Sequence, residues 1–275
     1  MRGLIKPAQI AQWCKDNGLQ AAAITDYGNM LAVPSLYKAC NRLSIKPIFG
    51  MEVYIVPDKT EKGGDTQRLV LLALNKVGFK NLVSLSTVGW MYFYYIPRLD
   101  YGDLLKYGQG IAVLTGDIVG GMAAQRFFEK GSDGLASVWR ELTSAFEHVY
   151  FELEPVPTEA QRVYNDALVE FWKKEEGRVK LILTGDPHYM SVEDEELYKN
   201  FLAIKNWRNP GWEYPYKGPY HVRNRDEMCE QMGDLHGYDV SFVPGYKQAF
   251  EAQDEIIDMV EKFDLRSGVK IPSPY

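Results

Sequence analysis

The chain has 275 residues, 46% hydrophobic and 25% charged, the composition of a globular protein with room for one large domain or two small ones. A net charge of −6 argues against a chain that clamps nucleic acid through overall basicity, and no apolar run reaches the roughly 18 residues needed to span a bilayer. Cys14, Cys40 and Cys229 have spacings that match no zinc ribbon or disulfide framework, so the sequence reads as a cytoplasmic protein with reduced thiols.

The chain opens on a helical pattern over 6–17, with Ile10, Trp13 and Cys14 on one face and Gly18 behind it. An apolar strand at 21–26 runs into "ITDYGN", and a helix over 29–44 follows Gly28, provided Pro34 falls near its first turn. Further strands are expected at 47–56, 68–74, 110–117, 149–155 and 179–186. Helices are expected at 76–90, 121–130, 135–146, 158–176, 192–205, 226–232 and 250–263, with Thr158 and Gln161 spaced as a capping box. This alternation predicts an α/β fold of parallel strands covered by helices. Residues 57–67 are polar and contain Gly63-Gly64, which reads as a surface loop. Residues 207–220, "WRNPGWEYPYKGPY", read as an ordered loop packed by its own rings. A closed parallel barrel normally opens on a strand, whereas this chain opens on a helix and supplies six strands, so a first strand is expected to be missing.

Reactive groups in parallel α/β folds collect at the carboxyl ends of the strands. Asp26, Asp117 and the pair Asp186 and His188 fall at such ends, with Glu52, Glu152 and Glu154 inside strands. Carboxylates with one imidazole suit Mn²⁺, Zn²⁺ or Fe²⁺. Each residue also has a plainer reading: Asp26 as a cap or turn residue, Glu52 as the outward member of a half-exposed strand, Asp117 as a turn residue before Gly120-Gly121, and Asp186 as the partner of a structural histidine. His148, His221 and His236 read as surface residues. In Tyr92-Phe93-Tyr94-Tyr95-Ile96-Pro97-Arg98, aromatics beside an arginine suit base stacking or phosphate binding, with Arg98 as the phosphate candidate, while successive rings also serve as packing under a loop. The chain has no glycine-rich phosphate loop, Ser/His/Asp set or CxxC pair.

Stretches in order along the whole chain, among them "LIKPAQIAQWCKDNGLQAAAITDYGNM", "YKACNRLSIKPIFGMEVYIVP", "FYYIPRLD", "GIAVLTGDIVGG" and "TGDPHYMSVEDEELYKNFLAIK", resemble the PHP (polymerase and histidinol phosphatase) domain of the bacterial DNA polymerase III alpha subunit family. The resemblance implies a distorted (β/α)₇ TIM-like barrel over 1–275 whose first strand is missing here. It further implies a helical 225–275 segment leading through "VKIPSPY" toward a polymerase palm that the chain lacks. It implies a metal centre for phosphoester hydrolysis, onto which Asp26, Glu52, Asp186 and His188 map as metal ligands, with Asp117 in place of a cysteine and Asp186 and His188 as the catalytic pair if the site is active.

Three departures bear on that centre. Tyr27 and Arg68 replace two histidines, the His-x-His strand is absent, and phenol and guanidinium are poor or impossible ligands. Arg68 is placed to pair with the remaining carboxylates. The resemblance therefore implies a DNA-replication module with a degenerate site for a divalent metal (Mn, Zn or Mg). Its partners would be the polymerase palm and thumb and the epsilon proofreading exonuclease, with DNA met only indirectly. The alternative is a metal-dependent phosphoesterase, an exonuclease or pyrophosphatase, using Asp26, Glu52, Asp117, Asp186 and His188.

Overall fold

The structure, a computed structural model, describes residues 3–209, 211 and 218–265. The closing "VKIPSPY" and the middle of the 207–220 loop lie outside the described residues.

The first unit is α1 (Pro7–Asp16), β1 (Ala21–Tyr27), α2 (Val33–Leu43) and β2 (Lys46–Ile55). Both helices carry proline in the first turn, Pro7 and Pro34, where a missing amide removes no helical hydrogen bond. They bury Ala11, Cys14, Leu36, Ala39 and Cys40 in one cluster with Ala22 and Phe49. Next come β3 (Gln67–Ala73), α3 (Lys76–Met91), a two-residue β4 (Arg98–Leu99), α4 (Tyr101–Tyr107) and β5 (Ile111–Leu114). The second half runs α5 (Met122–Lys130), α6 (Ser132–Ala145), β6 (His148–Leu153), α7 (Glu159–Lys174), β7 (Lys180–Leu183), α8 (Glu195–Lys205), α9 (Arg225–His236) and α10 (Pro244–Met259).

The six strands expected from the apolar runs are all present, joined by β4, whose two residues are too short to show a periodicity. The sheet order is β1-β2-β3-β5-β6-β7, with β4 beside β2. Its pairs are parallel except at β3, which is antiparallel to both β2 and β5. This corrects the expectation of parallel strands throughout. No helix lies between β2 and β3, and without a crossover helix the chain can only turn back on itself. Several helices differ in extent from the expectation and α4 was not expected; α2 starts at Val33, four residues after the expected 29, and α6 at Ser132, three before the expected 135. Asn224 caps α9 through the amide of Glu227, and the helix ends at Gly237, whose φ of 73° supplies a left-handed stop; α10 starts at Pro244, six residues before the expected 250.

Alternation along the strands divides the core into two faces. One face, with Met51, Val53, Leu69, Leu71, Val113, Phe151, Leu153 and Leu181, packs under α3 to α7. The other carries Ile48, Leu72, Ala112, Leu114, Tyr150 and Ile182, and is filled by Ala252 and Ile256 of α10 and by Val260 just after it. Side chains of α10 also occupy main-chain groups of β7. Gln248 accepts from the Leu181 amide at 2.7 Å, and Gln253 donates to the Leu183 carbonyl at 2.7 Å, which blunts an edge strand. On the α10 side the sheet is apolar at one end. At the other end the same alternating positions become Glu52, Arg68 and Glu152.

Candidate functional site

Arg68 is the second residue of β3, and because β3 runs against its neighbours, its first residues lie beside the carboxyl ends of β2 and β5. Glu52 follows Gly50 on β2, and Asp117 sits in the loop between β5 and α5. The Arg68 guanidinium joins them: Nη1 donates to Glu52 Oε1 at 2.7 Å, and Nη2 donates to Asp117 Oδ1 and Oδ2 at 2.7 and 2.8 Å. Nη1 also reaches the Tyr27 hydroxyl at 3.2 Å, and Tyr27 pairs with Glu52 across β1 and β2. The Arg68 side chain is only 6% exposed. Burial alone pulls its pKa down, but the charges of Asp117 and then Glu52 outweigh that and hold it above the ordinary value. The turn over the guanidinium requires glycine at 120, since a Cβ there would lie 2.5 Å from Arg68 Nε. Asp117 accepts from the Gly120 amide at 2.8 Å, so it closes the turn and binds the arginine at once.

Asp26 has a different engagement. Its Oδ2 accepts from the amide of Ala32, the residue that caps α2, at 2.9 Å. Just beyond β1, Gly28 (φ 64°) lies against Pro97, whose Cγ would be 2.3 Å from a Cβ at that position.

Asp186 and His188 follow β7. His188 Nε2 lies 3.5 Å from Asp186 Oδ2, and the ring is buried between Tyr198 and Tyr220, with centroids 5.2 and 5.3 Å away. Asp186 has φ 37°, a strained value for a residue with a side chain. The preceding carbonyl, Gly185, is held by Arg223 Nη2 at 2.6 Å, and Arg223 Nη1 donates to Gln231 at 2.6 Å. Arg223 was not among the residues singled out from sequence. It lies just past the aromatic loop, and only the fold brings it under the β7 turn.

Glu152 and Glu154 complete the acidic interior. Glu152 Oε2 accepts from the Gly116 amide at 2.5 Å. Burial, with the charges of Asp117 and Asp186, raises its pKa to about 7 against the hydrogen bonds of Thr184 and Gly116. Glu154 is pushed well above the carboxylate range by burial and by Asp117, Asp186 and Glu152, with Arg223 opposing. Near neutral pH this interior carries less negative charge than its residue count suggests.

Arg98 is buried, and its guanidinium donates to the carbonyls of Tyr92 (3.0 Å) and Glu61. Two histidines read from sequence as surface residues are inside. His221 is buried with Nε2 2.5 Å from Glu227, and the His236 ring lies 2.8 Å from the Tyr246 hydroxyl and 3.2 Å from Asp166. Their partners come from α7, α9 and α10, which no local pattern reveals.

Among the described residues no three His, Cys, Asp or Glu side chains are grouped so as to hold a metal. Glu52 and Asp117 turn toward a fixed cation, Asp26 toward an amide, and Asp186 toward His188. The arrangement does not fit the implied metal, because the guanidinium stands between the carboxylates an ion would need.

The PHP domain family matches residues 1–155, more than half of the chain, so the chain belongs to that family. Its curated relatives include proteins named DNA polymerase III subunit alpha. That of Borreliella burgdorferi is 30% identical over 85% of this chain and 21% of its own length. That of Aquifex aeolicus is 33% identical over 74% and 18%, and that of Thermus aquaticus 29% over 80% and 20%. The chain thus spans about a fifth of the length of the curated relatives it matches. A solved structure from Bifidobacterium adolescentis, 10% identical over 86% of this chain and 94% of that one, superposes with a TM-score of 0.47, too slight to bear on function. Among the described residues no helix is long and apolar enough to cross a membrane.

Proposed function

We propose that the chain serves DNA replication as the PHP module of a polymerase of the alpha-subunit kind, acting as a structural and docking element. The observation that carries this reading is the buried Glu52–Arg68–Asp117 bridge, which supplies from within the protein the positive charge that a bound ion would otherwise bring. Asp26, Glu52, Asp117, Asp186 and His188 then act as structural residues that tie β1, β2, β3, the β5 turn and the β7 turn together. The partners in this reading are the polymerase palm and thumb, and the epsilon proofreading exonuclease.

Two assays test it. With Mn²⁺ and an end-labelled single-stranded oligonucleotide, the chain releases no nucleotide above the background of Asp186→Ala; metal-dependent turnover abolished by that variant overturns the structural role. Mixed with the palm and thumb of an alpha subunit expressed without their own PHP domain, the chain co-elutes with them on gel filtration, and separate elution at micromolar concentration sinks the docking role.

A further inference from the structure

The segment from the end of α3 to β4 lines the rim beside the carboxyl end of β1, and the module reading gives it no task. Trp90, Met91, Phe93 and Tyr95 are exposed there, Tyr95 to 83%. The platform is built rather than loose. Trp90 Nε1 donates to the Gly28 carbonyl at 2.8 Å, and the Trp90 and Phe93 rings stack at 5.1 Å with 1° between planes. Tyr94 bridges back to Ile96, and Tyr95 is held at φ 60° with its ring edge-on to Tyr94 at 4.6 Å. Lys62 lies 5.8 Å over the Tyr94 ring and Lys59 5.2 Å over Tyr92.

Charge narrows the occupant. In a chain of net charge −6, no acidic residue occurs from Thr66 to Leu99. Of the acids flanking that run, Asp58 folds back on Thr60, and Asp100 and Asp103 hold Lys59 at 3.1 and 2.7 Å, while Glu61 and Asp65 lie on the preceding loop. We propose that this rim binds single-stranded nucleic acid by stacking bases on Trp90, Phe93 and Tyr95, with Lys62 meeting one phosphate. Flat exposed rings beside a cation accept any base, because every base has a π face.

The test uses the whole chain and a fluorescent dodecamer of dT, followed by anisotropy and by tryptophan quenching. Binding is expected, and an abasic dodecamer of equal charge is expected not to bind. Phe93→Ala and Tyr95→Ala, both at exposed positions, should each weaken binding by about fivefold or more. Trp90→Phe should remove most of the quenching while anisotropy still reports binding. With a single phosphate contact, a fourfold rise in salt should weaken binding only about 2.5-fold. Absence of binding, equal binding of the abasic strand, or indifference to both alanine variants overturns the proposal. So does self-association through this face without a response to dT, which would make it a protein interface.

Discussion

Replacing Arg68 with methionine keeps most of the side-chain volume and removes the charge. It strands Glu52 and Asp117, whose side chains are 8% and 11% exposed, and deletes three hydrogen bonds of 2.7 to 2.8 Å. Breaking a buried ion pair from one side costs about 3–5 kcal/mol, because the partner charge stays behind without compensation. Set against a typical total of roughly 5–15 kcal/mol, that leaves a marginal protein. The assay is urea unfolding at neutral pH, followed by circular dichroism. The triple variant Arg68→Met, Glu52→Gln, Asp117→Asn removes the stranded charges as well, and should regain most of the loss. Arg68→Lys should fall between wild type and methionine, since an ammonium cannot bridge two carboxylates as a planar fork does. A loss below about 1 kcal/mol for the methionine variant would refute the reasoning, because that is the scale of an exposed pair.

Three further outcomes follow from the same geometry. Glu152 is raised to about 7 from an ordinary 4.5, so its contribution is fully present below about pH 4.5 and is lost as pH rises through about 7. Glu152→Gln should therefore match wild type in acid and exceed it by up to about 3 kcal/mol at pH 8, read as a difference in urea midpoint; equal stability at both pH values would contradict the buried proton. Asp26→Ala should cost about 1 kcal/mol, the usual size of a lost helix-start acceptor, and a loss several times larger would mean that Asp26 belongs to the charged bridge. Arg98→Met should destabilise by about 1–3 kcal/mol by stranding two carbonyls, read as a shift in urea midpoint; an unshifted midpoint would contradict its anchoring role.

Much of this was legible in the sequence, and the reasons are local. Apolar runs revealed even the four-residue strands because a strand buried on both faces needs nothing else, as in Val113 and Leu114 of β5 or Leu181 and Ile182 of β7. Thr158 marked the start of α7 because capping is chemistry between near neighbours, whereas the helix expected from 29 starts only at Val33, with Pro34 in its first turn. What stayed hidden depends on contacts distant in sequence. The reversal of β3 was written in a helix-free connection, yet only the pairing shows that it carries Arg68 to the carboxyl ends of β2 and β5. Glu152 and Glu154 stand two apart in sequence, so their shared face was readable; their burial against Asp117 and Asp186 was not. Arg223, His221 and His236 look like loop polar residues until α7, α9 and α10 close around them.

The Arg68 guanidinium is fixed between the carboxylates of Glu52 and Asp117, where an ion would have to sit to use both. The most direct test is the metal content of the purified chain by plasma mass spectrometry after loading with Mn²⁺ and Zn²⁺ and desalting, beside Asp186→Ala. The account predicts that folded wild type retains no stoichiometric ion and does not differ from the variant. One ion or more per chain, lost in Asp186→Ala, would contradict it and show that the arginine shares the site with a working metal.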